Sequence, residues 1–157
     1  MIAFYLLLVG TITLIFQTTL MKLFEFHEIA PDLSLIFIVW TGLTYGPFAG
    51  LLSGFFVGLV FDVYAYPQFL GAGMLVKSSM GYFVGLADDH VIRLDWSTKV
   101  IILGICFFLH DLLYNLLIGM DSSSIREAMI QSTIPEAIYT ILISTIIFNL
   151  YSRKVDA

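Results

Sequence analysis

The sequence has few charged residues for its length. Asp, Glu, Lys and Arg make up 12% of its 157 residues, whereas 59% of the residues are hydrophobic. Soluble globular domains carry about 25% charged residues, because these cover the apolar interior. The composition therefore excludes a soluble protein and indicates that a lipid bilayer is the solvent.

Cysteine is almost absent. The single cysteine, Cys106, excludes an internal disulfide and a cysteine-rich metal site. Because it lies in an apolar run from 100 to 109, we expect it to be a small buried hydrophobic side chain.

Basic residues are scarce as well. Seven Lys and Arg stand against twelve Asp and Glu, a formal net charge of -5, so the chain has no basic surface for nucleic acid. The sequence contains no nucleophile elbow, phosphate-binding glycine loop or zinc-ligand spacing. We therefore expect no nucleic-acid partner, cofactor or metal site, and the missing motifs argue against an enzyme.

Apolar runs of helical length are abundant. A helix needs about 20 residues to span a bilayer core about 30 Å thick. The sequence thus predicts an all-α integral membrane protein, a single domain over 1–157 folded as a compact bundle of six short transmembrane helices. The predicted spans are 2–21, two within 33–61, 70–87, 100–120 and 133–151.

Residues 33–61 allow two interpretations. The stretch is uncharged, too long for one upright span and too short for two full ones. Gly46-Pro47 in its middle favours a tight turn between two short helices. The alternative is one tilted, proline-kinked span, which leaves five crossings and puts the termini on opposite sides of the membrane.

Two further features concern the membrane surface. Ser124 and Glu127 have capping-box spacing, which predicts a short interfacial helix before the last span. With six spans, one side of the membrane carries only Lys22 and Arg126, whereas the other carries Arg93, Lys99, Arg153 and Lys154. The excess of basic residues predicts that both termini are cytoplasmic.

Glycines recur every four residues in two of the predicted spans. One stripe consists of Gly46, Gly50, Gly54 and Gly58, and the other of Gly73, Gly81 and Gly85, with Lys77 between them. This spacing lets two helix backbones approach closely. We expect the stripes to pack helices within the bundle; the alternatives are that they seat a partner's helix or a ligand.

Lys77 needs an acidic partner inside the bundle, because a basic group at mid-span costs about 2.5 to 3.5 kcal/mol on insertion scales. Similar depth along the two spans favours Asp111 as that partner, with Asp62 second and Glu136 also a candidate. The four charges are expected to form one intramembrane polar cluster. Such a cluster is either a proton or substrate path or an ion-pair network that fixes helix register.

Several short motifs resemble one protein family. Pro31-Asp32-Leu33, Gly46-Pro47, Gly54-Phe55-x-x-Gly58-x-x-x-Asp62 and Leu70-Gly71 are similar to the rod shape-determining protein MreD family, over residues 31–85. Gly54, Gly58 and Asp62 match the most specific of these motifs. Lys77 departs from the family pattern, where we expect a small or apolar residue.

The resemblance implies a component of the bacterial elongation machinery in the inner membrane, without catalytic activity of its own. Its implied partners are MreC, the peptidoglycan polymerase RodA with its transpeptidase, and membrane lipid. The family is also thought to share its helical arrangement with the substrate-binding subunits of energy-coupling-factor transporters. The alternative function is therefore a substrate-binding subunit of a vitamin-type importer, and a third possibility is a proton-conducting subunit.

Overall fold

Every regular element that the structure describes is helical. The computed structural model describes residues 2–20, 31–65, 69–87 and 94–155, and no strand occurs within these ranges. The α-helices are α1 Ile2–Ile15, α2 Leu33–Tyr45, α3 Pro47–Ala65, α4 Ala72–Gly85, α5 Trp96–Leu117, α6 Ser122–Ala128 and α7 Ile134–Val155. A π-helical turn, Phe16–Leu20, extends α1, and a second one, Met129–Thr133, joins α6 to α7.

The chain breaks between α2 and α3 at Gly46, where the sequence predicts a turn. Gly46 has a φ of 84°, a conformation that favours glycine. Its N–H still donates to the Gly42 carbonyl, while Pro47 opens α3, a position at which its missing N–H costs nothing. The kinked single helix is therefore wrong, and the two-helix interpretation is confirmed.

Helices α3 and α4 pack antiparallel with their backbones in direct contact. A β-carbon added at Gly58 would come within 2.6 Å of the Met74 α-carbon, and one at Gly85 within 2.5 Å of the Pro47 nitrogen. No side chain fits at such distances, so the glycines determine how closely the two helices approach.

Helix α2 completes this unit and runs parallel to α4. Ser34 contacts Lys77, Ile38 contacts Gly81, and Gly42 contacts Gly85, so each contact joins residues 43 positions apart. A constant separation means that the two helices run in the same direction without slipping. We call α2, α3 and α4 the glycine-packed triad.

Helices α5 and α7 form a second, antiparallel pair. Gly104 of α5 lies against Ile141, whereas Asp111, two turns later, bonds to Thr133, which directly precedes α7. The pair meets the triad where Phe107 packs on Leu35 and Ala137.

The predicted short helix before the last span is present, but its cap is not the predicted Ser124. Helix α6 begins at Ser122, after Asp121, and continues through the π-turn into α7 instead of standing apart. The Ser123 and Ser124 hydroxyls donate to the Asp121 carboxylate, which holds its pKa below the ordinary value. The anionic group thus stays at the N-terminus of α6, where the helix dipole favours it.

Three described helical stretches are long and apolar enough to cross a membrane: Pro47–Tyr64, Trp96–Leu117 and Ser123–Ile147. Helix α2 is apolar but has only 13 residues. At a rise of about 1.5 Å per residue it covers about 20 Å, less than the hydrocarbon core. Lys22 and Arg93, on which the predicted orientation partly rests, lie outside the described residues.

Candidate functional site

Helix α2 begins inside the bundle. Its N-cap, Asp32, bonds to Lys77 near the middle of α4, and the Asp32 N–H donates to the Thr140 hydroxyl in the first half of α7. Pro31, which precedes the cap, is fully buried. An irregular backbone at this depth must have all of its polar groups satisfied by protein, because lipid offers no hydrogen bonds.

Side chains from two other helices supply those hydrogen bonds. The Gln17 amide nitrogen donates to the Pro31 carbonyl at 3.1 Å, and its oxygen accepts from the Leu33 N–H at 2.9 Å. Thr140 accepts the Asp32 N–H at 3.1 Å. Gln17 lies in the π-turn after α1, and such turns are frequent at functional positions. The start of α2 is therefore held from both α1 and α7.

Lys77 forms a buried ion pair with Asp32. The Lys77 ammonium lies 3.0 Å from Asp32 Oδ2 and donates to the Ser34 hydroxyl at 2.9 Å; Ser34 in turn donates to Asp32 Oδ1 at 2.5 Å. The ammonium also lies 5.4 Å from the centre of the Phe61 ring. The charge is thus neutralised, hydrogen-bonded and covered, which a lysine within a bilayer requires.

The predicted pairing of Lys77 with Asp111 is wrong. Asp111 accepts from the Thr133 hydroxyl at 2.8 Å and lies 3.1 Å from His110 Nδ1. Thr133 precedes Thr140 by about two helical turns, so Asp111 lies about 10 Å along the bundle from the level of Asp32. The prediction assumed that Lys77 and Asp111 lie at the same depth in the bundle. The helices are staggered, so the two residues lie at different depths.

Asp62 has a different role from the predicted one. It is fully buried, and its Oδ2 accepts from the Gly71 N–H at 2.9 Å and the Met74 N–H at 3.0 Å. These groups belong to the first turn of α4, where backbone donors have no partner within the helix. Asp62 therefore caps α4 from the end of α3 and does not bond to Lys77.

Glu136 lies on α7, within electrostatic range of Asp111 and Asp32. His110 acts electrostatically on Asp32 as well, and its ring stacks on Tyr114 with 6.2 Å between centroids. Glu136 and His110 thus link Asp32 and Asp111 electrostatically, so that all of these groups belong to one region. We call this region the polar junction, and it consists of Gln17, Asp32, Ser34, Lys77, His110, Asp111, Thr133, Glu136 and Thr140.

Sequence reasoning did not consider Asp32 as a partner of Lys77. The sequence did contain the signal that was needed, because an Asp directly after a proline and before an apolar run is a typical helix N-cap. The roles of Gln17 and Thr140 had no comparable signal, since single polar residues in apolar helices are common.

The two glycine stripes lie against each other. Gly50, Gly54 and Gly58 of α3 contact Gly81, Lys77 and Met74 of α4 through backbone atoms. Gly73 differs, because its nearest neighbour is the Asp62 carboxylate. The stripes are therefore occupied within the chain, and a partner's helix must use another surface.

The polar junction offers ion pairing and hydrogen bonding. Among the described residues, no group of three or more His, Cys, Asp and Glu side chains has an arrangement that could hold a metal ion. Two acidic side chains of the polar junction are partly accessible from outside the protein: Asp32 is 20% exposed and Asp111 is 22% exposed.

The chain matches a known protein family. The family model for rod shape-determining protein MreD covers residues 1–154. Comparisons with curated proteins and with solved structures gave no match.

Proposed function

The chain belongs to the MreD family of rod shape-determining proteins, and on that basis we propose that it is a non-enzymatic scaffold of the cell-elongation machinery in the bacterial inner membrane. In this role it binds MreC and supports peptidoglycan synthesis by RodA and its transpeptidase. It spans the membrane several times, with both termini in the cytoplasm.

One observation supports a scaffold most directly: the glycine-packed triad is joined by close backbone contacts and presents an outward face that stays exposed among the described residues. The buried face of α4 lies on α2 and α3. The opposite face exposes one stripe at helical spacing, formed by Leu75, Ser79, Tyr82, Phe83 and Leu86. A backbone that cannot shift gives a partner's helix a fixed surface.

Ser79 distinguishes this stripe from an ordinary lipid-facing surface. Its hydroxyl is exposed near the middle of α4 and donates to the Leu75 carbonyl at 2.7 Å. The hydroxyl oxygen can still accept a hydrogen bond, and small polar residues within membranes favour contacts between helices. We therefore place the membrane helix of MreC on this face of α4.

Disulfide cross-linking tests this placement. In a Cys106→Ala background, Ser79→Cys is combined with single cysteines along the membrane helix of MreC, and the products are separated without reductant. The control is Ile105→Cys on α5, because Ile105 is also exposed, at 56%. We expect cross-links from position 79 and none from position 105. Equal cross-linking from both positions, or none with a folded and co-expressed pair, contradicts the proposal.

A substrate-binding subunit of an importer is the second candidate function. The observation that favours it is the partial exposure of Asp32 and Asp111 inside the bundle, since a transporter needs polar groups that a substrate can reach. Native mass spectrometry of freshly purified protein separates the two functions. A stoichiometric small molecule favours the importer, and a retained MreC chain favours the scaffold.

A further inference from the structure

A groove with a volume of about 370 Å³ runs between α1, α2 and α7. Four residues of α1 and four of α2 line it, each set along one face of its helix, and Ile147 of α7 closes one side. Gly10 lies against Phe37, and Gln17 bonds to Leu33, so α1 and α2 run antiparallel along the groove. The two helices thus enclose a channel instead of packing side chain against side chain.

The groove is apolar and opens sideways. Its floor is formed by Ile36 and Phe37, which are buried, whereas Ile12, Phe16 and Ile147 at its rim are exposed. The Thr13 hydroxyl, which also lines the groove, donates to the Val9 carbonyl of its own helix at 2.9 Å. An ordered water makes about three hydrogen bonds, and these walls do not offer that number. Hydrocarbon is therefore the natural occupant.

The size of the groove excludes a helix. The lining residues cover two turns of α2, from Leu33 to Trp40, a length of about 10.5 Å. The volume then corresponds to a mean cross-section of about 35 Å², whereas a helix about 10 Å across needs about 80 Å². A partner's helix can rest on the rim but cannot enter, and an extended hydrocarbon chain can.

The direction of the groove matches that of a lipid chain. Helix α2 ends at Gly46, and Pro47–Tyr64 is long enough to cross a membrane, so the turn between them belongs at a membrane surface. Trp40 and Tyr45 meet edge to face near that turn, 5.6 Å between ring centroids, and both residue types favour the membrane interface. From Trp40 the groove continues towards the bilayer interior.

We propose that this groove binds an acyl chain of a membrane phospholipid, with the glycerol end of the lipid beside Tyr45. Phospholipid is the source because it surrounds the rim at the highest concentration of any chain-bearing molecule, which favours its binding by mass action. The chain fills the space between α1 and α2 and so holds α1 on the glycine-packed triad. This inference goes beyond the scaffold function and does not depend on it.

Trp40 is the reporter for the test, because it lines the groove. The sequence has two tryptophans, so Trp96→Phe leaves Trp40 as the single fluorophore. This protein is placed in micelles of a steroid detergent, which has no acyl chain to compete, and is titrated with phosphatidylglycerol whose acyl chains carry bromine. Bromine quenches tryptophan fluorescence on contact. We expect quenching that saturates at one lipid per chain.

Thr13→Phe fills the groove with a ring and should weaken the quenching midpoint at least tenfold, since displacing about two buried methylene groups accounts for that factor. Thr11→Phe is the matched control: it is the same change on the same helix, at an exposed position that does not line the groove. Val9→Phe fills the groove from the next turn, with Val60→Phe at an exposed position of α3 as its control. Each variant is first shown to be folded by its thermal unfolding transition.

Three results would overturn the proposal. Quenching may rise with lipid without saturating, which is the behaviour of bulk hydrocarbon around any exposed ring. Both folded filling variants may bind as well as their controls. The third result comes from native mass spectrometry of wild-type protein purified directly from membranes: a retained phospholipid supports the proposal, whereas a retained polyisoprenoid lipid, a retained polypeptide or no retained lipid contradicts it. This measurement needs no variant to fold.

Discussion

Gly50 of α3 and Gly81 of α4 face each other so closely that a β-carbon on either would overlap the carbonyl oxygen of the other. The relationship is reciprocal, and it involves backbone atoms on both sides. Backbone atoms cannot move aside as the end of a flexible side chain can. The separation of these two helices therefore depends on the absence of side chains at both positions.

Gly50→Ala and Gly81→Ala should each destabilise the protein by about 1 to 3 kcal/mol, because an added methyl group forces the triad apart. The measurement is the free energy of unfolding in mixed detergent micelles. Gly104→Ala is the control: its β-carbon would meet the flexible end of Ile141 at 3.3 Å, so it should change stability far less. Equal effects at positions 50 and 104 would mean that backbone contact does not limit the packing.

The Lys77 and Asp32 side chains should show strong energetic coupling. Lys77→Met and Asp32→Asn should each cost about 3 to 5 kcal/mol, since either change leaves the other charged group buried without its partner. The double variant should recover part of that loss. Lys77→Met combined with Asp111→Asn should instead be nearly additive, because these residues are not partners. Stronger coupling of Lys77 to Asp111 than to Asp32 would contradict the observed ion pair.

Gln17 and Thr140 should matter although neither is charged. Gln17→Leu removes one hydrogen bond from the Pro31 carbonyl and one from the Leu33 N–H, which keep only the 3.2 Å bond to each other. Thr140→Val removes the acceptor of the Asp32 N–H. An unsatisfied buried polar group costs about 1 to 3 kcal/mol. Hydrogen exchange at Leu33, read by mass spectrometry, should become faster in Gln17→Leu.

Thr145→Val is the matched control for position 140, because the Thr145 hydroxyl only donates to a carbonyl of its own helix, that of Ile141. Its loss should change the free energy of unfolding by a few tenths of a kcal/mol, the range of a surface substitution. If Thr140→Val and Thr145→Val behave alike, the hydrogen bond to Asp32 contributes nothing measurable.

Asp62→Leu should weaken the first turn of α4 by about 0.5 to 2 kcal/mol, the usual cost of losing an N-cap acceptor. Asp62→Asn keeps an oxygen for the Gly71 and Met74 N–H groups and should retain most of the stability. If hydrogen exchange in Asp62→Leu becomes faster only in the first turn of α4, the lost interaction is the capping of that helix by Asp62. Uniform loosening of the whole bundle would assign a broader role to Asp62.

Much of the architecture could be predicted because it follows from local composition. Apolar runs of helical length fix where helices form, and Gly46-Pro47 fixes a break, since both act within a few residues of the chain. The requirement that Lys77 find an acidic partner followed from the cost of a charge in lipid. None of these inferences depends on how two helices pack against each other.

The identity of that partner could not be inferred in the same way. Lys77 and Asp32 are 45 residues apart, and their contact depends on α2 starting inside the bundle. That depth is set by the glycine contacts of three helices together with Gln17 and Thr140. The chain by itself thus determined which segments are helical and that a buried cation needs an anion. Only the tertiary structure decided which anion lies within 3.0 Å, because relative helix depth is a sum of many contacts between distant segments.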